Sequence, residues 1–220
     1  MNNLNLQNTM YKLGTIKGNS MAGTIAMGLF AVLMAAVGVI GLFTGGIFTG
    51  LLLIVVGGGL AYVMFASIPK EKKQVAESWA RLSPQEIYNI EMEAPSAPVV
   101  GTAFVTRDAL VRKVSQGPLV IPARDIMWIY GKQVTQKMYG LITTGKTFST
   151  IVVDRQGERH ELAAKKGTSE EQLQTLLNVL KPNYPGIVFG YRQEIEALAT
   201  KENISKLAQY VDGQNSKAHA

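Results

Sequence analysis

The stretch GLITTGKT, Gly140 to Thr147, satisfies the string G-x-x-x-x-G-K-[ST], in which a glycine loop cradles phosphates and a lysine, here Lys146, reaches the outer ones. TIVVD at residues 150–154 follows it in the position of a Walker B strand. Such a cradle needs the loop to end at a helix N-terminus, where free amides and the helix dipole receive the anion. The residues that follow, FSTIVVD, are β-branched and alternating, and only seven residues separate Asp154 from Lys146. That leaves no room for the crossover helix of a βαβ unit, which takes ten or more residues. Gly140, Gly145, Lys146 and Thr147 are therefore expected in a β-hairpin with Gly145 and Lys146 at its tip, and nucleotide binding is the weakest of the functional readings.

Other chemistry is scarce. His160 stands in the alternating stretch ERHEL and the second histidine, His219, in the C-terminal tail, so His160 is expected to be a surface residue. A zinc site takes three or four ligands. Asp125 before MWIY has no base at motif spacing and is expected to start a strand. There is no cysteine, which removes disulfides, thiolate metal sites and cysteine nucleophiles together. No metal, cofactor or catalytic set is expected, and the chain is read as a non-enzyme. Basic residues offer a further possibility. Arg107, Arg112 and Lys113 surround the turn at Arg107-Asp108, where a phosphoinositide headgroup would need several cations converging. Asp108 partly neutralises them, and with Arg124 and Lys132 they are expected on a solvated or membrane-facing surface. No basic stripe is interleaved with aromatics, so nucleic acid is not an expected partner.

What must position these residues is set by one stretch. From Gly18 to Pro69 the chain has 52 residues without a charge. About 20 apolar residues cross a hydrocarbon core, so the run supplies two spans and a turn, read as Met21 to Phe43 and Ile47 to Ala66. In lipid every amide needs an internal partner, which makes both segments helical despite their Val, Ile and Gly content. Gly41-x-x-x-Gly45, Gly46-x-x-x-Gly50 and the cluster Gly57 to Gly59 are small enough for close packing, expected between the two helices of the hairpin rather than between copies of the chain. Lys12 and Lys17 precede the hairpin, Lys70, Lys72 and Lys73 follow it, and the turn is uncharged. Both ends are thus expected in the cytoplasm, with the protein in the cell membrane.

All 16 acidic residues and all but two of the 22 basic ones follow the hairpin, so the last 150 residues form a mixed-charge part of about one domain. Residues 1–20 form a polar segment, on the membrane surface or disordered. Residues 68–98 read as a helical linker. Val75, Trp79 and Leu82 make one apolar stripe, and Ser83, Pro84 and Glu86 give a capping box for a second short helix. Lys70, Lys72, Lys73 and Trp79 are candidates for the headgroup level. Trp79 packed onto the domain is the other reading.

From Val99 the period changes to 2, and strands are expected at 99–106, 109–115, 118–121, 125–131, 134–143, 147–154 and 158–164. Their connections are too short for crossovers, so the sheet is expected to be antiparallel. A helix after Thr168 carries Leu173, Leu176, Leu177 and Leu180 on one stripe and would close the sheet. Two more helical pieces follow to Val211, and the tail, residues 213–220, is expected to be disordered.

Seven strands and a closing helix behind a two-span hairpin, with PLVIPARDIMWIYGK at 118–132 preceded by FVTRDALV at 104–111, resemble the bacterial pleckstrin-homology-like membrane proteins. The resemblance covers residues 99–181 and the hairpin. It implies an α+β chain: a transmembrane hairpin at 21–67, a pleckstrin-like antiparallel barrel or sandwich at 99–182, and a helical extension at 183–212. It also implies a non-catalytic adaptor or assembly role, with a membrane or cytosolic protein as partner beside the bilayer. Binding of anionic lipid is the alternative.

Overall fold

The computed structural model describes residues 6–16, 21–44, 46–138, 142–163, 169–200 and 202–218. The chain divides into two compact units. One comprises Gly18–Glu77 with Lys113–Gly117, the other Met1–Lys17, Ser78–Arg112 and Pro118–Ala220.

The first unit is built on α2 (Met21–Phe43) and most of α3 (Ile47–Ala80), numbered after α1 (Gln7–Thr15) of the other unit. A β-carbon added at Gly50 would stand 2.6 Å from the Gly38 carbonyl oxygen, and one at Gly57 2.7 Å from the Ala31 carbonyl oxygen. The two helix backbones therefore touch at glycines, as small residues permit. Of the glycines expected at this contact, Gly41, Gly50 and Gly57 make it, while Gly58 and Gly59 meet nothing within 4 Å. Residues Ile25–Phe43 of α2 are long and apolar enough to cross a membrane, and 17 % of that stretch is buried. The apolar run Ile47–Tyr62 that begins α3 is shorter.

The second unit mixes α and β. After α4 (Pro84–Glu93) come β1 (Val99–Val100), β2 (Ala103–Val105), β3 (Ala109–Val114) and β4 (Gly117–Pro122), forming one sheet in that order. A 3-10 turn at Ala123–Asp125 leads to β5 (Ile126–Met138), β6 (Ile142–Asp154) and β7 (Arg159–Ala163). With β8 (Val188–Phe189) they form a second sheet of order β7-β6-β5-β8. Helix α5 (Ser169–Leu180) precedes β8, and α6 (Gln193–Leu198) and α7 (Ile204–Ala218) follow it.

Val105 and Leu110 of the first sheet, Ile129, Val152 and Leu162 of the second, and Leu176 and Leu180 of α5 share one buried core. The opposite face of the second sheet is covered as well: Met127, Trp128, Tyr130, Ile151 and Val153 pack against Ile195 of α6 and Leu207 and Val211 of α7. A register shift between Ile126 and Trp128 sets two residues of β5 against one step of β6. This bulge places Met127 and Trp128 on the same outer face, which strict alternation forbids.

Several expectations are corrected. The strands lie in two four-stranded sheets, and among the described residues no pairing closes them into a barrel. Residues 126–138, expected as parts of two strands at 125–131 and 134–143, are one continuous strand, β5, and Ile142 and Thr143 belong to β6. The second sheet is not wholly antiparallel, because β8 reaches β5 through α5 and pairs with it in parallel. Helix α7 runs to Ala218, so residues 213–218 of the expected loose tail are helical. The N-terminal segment contains a helix, α1, and it docks on α4. The Glu91 carboxylate accepts from the Asn8 and Thr9 amides at 3.0 and 3.1 Å and so caps α1 from another element. The capping box at Ser83 and Glu86 forms as expected.

Candidate functional site

Main-chain groups at a sheet edge are ready to bind an extended segment unless something covers them. Each edge can be traced to the residues that leave it open or close it. The β4 edge is closed by the last turn of α3. The Val120 amide donates to Ser78 Oγ at 3.2 Å, and Trp79 Nε1–H donates to the Pro118 carbonyl at 2.8 Å. Strands β1 and β8 are edges of two residues each. Strand β7 is the longest remaining edge. The Asp154 amide donates to Glu158 O at 3.2 Å, which sets the alternation of the antiparallel ladder. By that alternation the main-chain groups of Arg159, Glu161 and Ala163 turn away from β6.

The turn that leads into this edge is held firmly. Asp154 Oδ1 accepts from the Gln156 and Glu158 amides at 3.0 and 2.9 Å, and Oδ2 lies 2.8 Å from His160 Nε2. Gly157 completes the turn at φ +75°, in the region that favours glycine. His160 stands opposite Val152 on the inward face of the sheet and is mostly buried, which corrects the expectation of an exposed histidine. On the outer face the Arg159 guanidinium donates to Tyr130 Oη at 3.4 Å and to the Ala199 carbonyl at 3.1 Å. Burial raises the Tyr130 phenol above its usual range. Trp128 stacks on Tyr130 at 4.0 Å between centroids, and Tyr191 meets Tyr130 edge-on at 5.8 Å. The Tyr191 hydroxyl donates to Glu196, a bond that raises its own pKa. These groups tie the C-terminal extension to the sheet.

Arg155, in the same turn, donates through both terminal nitrogens to Asp212 of α7, at 3.2 and 2.5 Å. The bond holds the Asp212 carboxyl below the ordinary aspartate range. A lowered folded-state pKa stabilises the fold fully above the unfolded value near about 3.9, and the gain is lost as pH falls through the folded value. Because the pair is largely exposed, Asp212→Asn is expected to cost at most about 1 kcal/mol. Thermal melts of the two proteins should therefore differ at neutral pH and converge in acid. A gap that persists below the carboxylate range would assign the loss to packing.

The residues singled out from sequence are not brought together. Trp79 is 1 % exposed, so an indole at the headgroup level is excluded and its packing onto the domain is observed. The stripe of Val75, Trp79 and Leu82 was the signal for that packing; nothing in the sequence marked Ser78. Arg107 is held by Glu93, its amide to Oε2 at 2.8 Å and its guanidinium to Oε1 at 3.2 Å. Asp108 accepts from Asn89 at 2.8 Å. A headgroup phosphate at this turn would have to displace a carboxylate. Arg112 and Lys113 are half-buried along β3. Arg124 pairs with Glu86 and donates to the Arg81 carbonyl at 2.7 Å. Lys70 and Lys72 are exposed on α3, and Lys73 lies 3.7 Å from Glu77. Gly145, Lys146 and Thr147 stand within β6, opposite Gln136, Thr135 and Val134, and strand rather than helix follows them. They are therefore not the hairpin tip, and Gly140 lies outside the described residues. Among the described residues no group of three His, Cys, Asp or Glu is placed to hold a metal.

A family model described as a domain of unknown function, DUF6709, matches residues 70–199. No curated protein and no solved structure matches the chain.

Proposed function

We propose that this chain, which belongs to the DUF6709 family of domains of unknown function, is a non-catalytic membrane-anchored adaptor. In this reading α2 and the apolar part of α3 span the bilayer as a hairpin with both termini in the cytoplasm. A pleckstrin-like domain then presents the β7 edge to an extended segment of a protein partner.

One observation carries the anchoring. Phe30, Leu33, Ile40 and Phe43 of α2 and Phe48, Val55 and Tyr62 of α3 are all more than half exposed. Water does not tolerate so extensive an apolar surface, whereas lipid solvates it. The uncharged turn and the lysines at both flanks support the orientation. Two four-stranded sheets sharing a core with one helix support the pleckstrin-like reading. The β7 edge, whose outward main-chain groups meet no backbone partner among the described residues, supports recognition by strand addition, where main-chain bonds supply affinity.

Fractionation of lysed cells tests the anchor. The full chain is expected in the membrane pellet after alkaline washing, and protease added outside sealed cells should spare its C-terminus. Recovery in the supernatant, or external cleavage, would refute it. Affinity capture of the full chain in detergent then tests the adaptor: a stoichiometric protein, lost when Glu161→Pro blocks the edge amide, is the expected result. Retention on anionic vesicles without such a protein would favour the lipid-binding alternative.

A further inference from the structure

Outside the hairpin, seven large apolar side chains among the described residues are exposed: Met10, Tyr11, Tyr88, Met92, Val99, Tyr191 and Tyr210. Four of them sit on two helices in contact, Met10 and Tyr11 on α1, Tyr88 and Met92 on α4. Single exposed apolar residues are ordinary, but a concentration on one helix pair asks for an occupant. The inner faces are already used, with Thr9, Leu13 and Ile16 of α1 and Ile90 and Ala94 of α4 buried. The pair is fastened by the Glu91 cap on α1, by Asn8 Nδ2 donating to the Glu91 carbonyl at 3.0 Å, and by Lys12 Nζ donating to the Pro95 carbonyl at 3.1 Å. The two helices are therefore tied to one another.

Chain connectivity names the occupant. Only residues 17–20 separate Ile16 from the first residue of α2. Five residue steps reach at most about 17 Å, so α1 is tethered to the start of the apolar helix. Tyrosine and methionine on the outside of short helices, with lysines at residues 12 and 17, are the composition of a surface that settles among headgroups. We infer that the α1–α4 pair is a membrane-surface element: Met10, Tyr11, Tyr88 and Met92 lie in the lipid interface. The inference rests on the anchored reading given above.

The absence of cysteine makes the test direct. Tyr11→Cys and Met92→Cys, with the exposed α7 position Gln209→Cys as reference, are each labelled with an environment-sensitive fluorophore. The full chain is reconstituted into phosphatidylcholine–phosphatidylserine vesicles and isolated by flotation. Labels at 11 and 92 are expected to be quenched several-fold more by lipids spin-labelled near the headgroup than the label at 209, and less by iodide present on both sides of the membrane. If the chain floats but iodide reaches all three alike, the inference falls and the anchor stands. Shielding of 11 and 92 from both quenchers would overturn it in favour of a protein on that face. A chain that does not float removes the anchor and the inference together.

Discussion

Trp79→Ala is expected to lower the stability of the domain by about 3–5 kcal/mol, the range for truncating a buried aromatic side chain. The indole is 1 % exposed, and its N–H satisfies the Pro118 carbonyl at the edge of β4. Removing it leaves a cavity, an unpaired carbonyl and an open strand edge at once. Against a typical total of about 5–15 kcal/mol the loss is large, and the uncovered edge should make the variant aggregate on warming. Trp79→Phe separates the terms, because it keeps most of the packing and loses the bond. It is expected to cost about 1–3 kcal/mol, the range for leaving a buried acceptor unpaired. Denaturant titration of the full chain in detergent, read by the fluorescence of Trp128, measures both. A Trp79→Ala midpoint indistinguishable from the parent's would mean that Trp79 does not hold the domain.

How much of this was legible in the sequence depended on the range of the forces involved. Local signals read well. The capping box at Ser83 and Glu86, the limits of α2 and the leucine stripe of α5 follow from spacing within a few residues. Non-local choices read poorly. Gly145 and Lys146 look like a tip because Gly-Lys is good turn chemistry, yet the ladder puts them opposite Gln136 and Thr135, within the strand. Register is decided by the whole pairing and the bulges, not by one dipeptide. The bulge before Trp128 likewise turns an apparent alternation into an outer aromatic face. That face is what calls for α6 and α7 as a cover, so the helical extension reads as a separate addition until the bulge is known. A sheet edge was legible only as a type of site; that the β4 edge is closed depends on Ser78 and Trp79, about forty residues earlier in the chain.

Gly57→Val should separate α2 from α3, while Gly58→Val, one residue on, should do almost nothing. A β-carbon at Gly57 would stand 2.7 Å from both Ala31 O and Ala35 N and 3.1 Å from Met34 Cβ. The first two are backbone atoms of a helix and cannot rotate aside, so α2 itself must move. Gly50→Val meets the Gly38 carbonyl oxygen at 2.6 Å and the Leu42 amide nitrogen at 2.9 Å and belongs with it. Overpacking of this kind costs about 1–3 kcal/mol. In the anchored reading proposed above no hydrophobic gain compensates, because lipid tails are as apolar as the partner helix and association rests on close packing. Gly58 and Gly59 have open space within 4 Å, so valine there should change stability by under about 0.5 kcal/mol. Unfolding of the full chain in mixed micelles of rising SDS fraction ranks the four variants. Equal damage at Gly57 and Gly58 would place a second helix surface on the outward glycines, and the hairpin would then be half of a larger bundle.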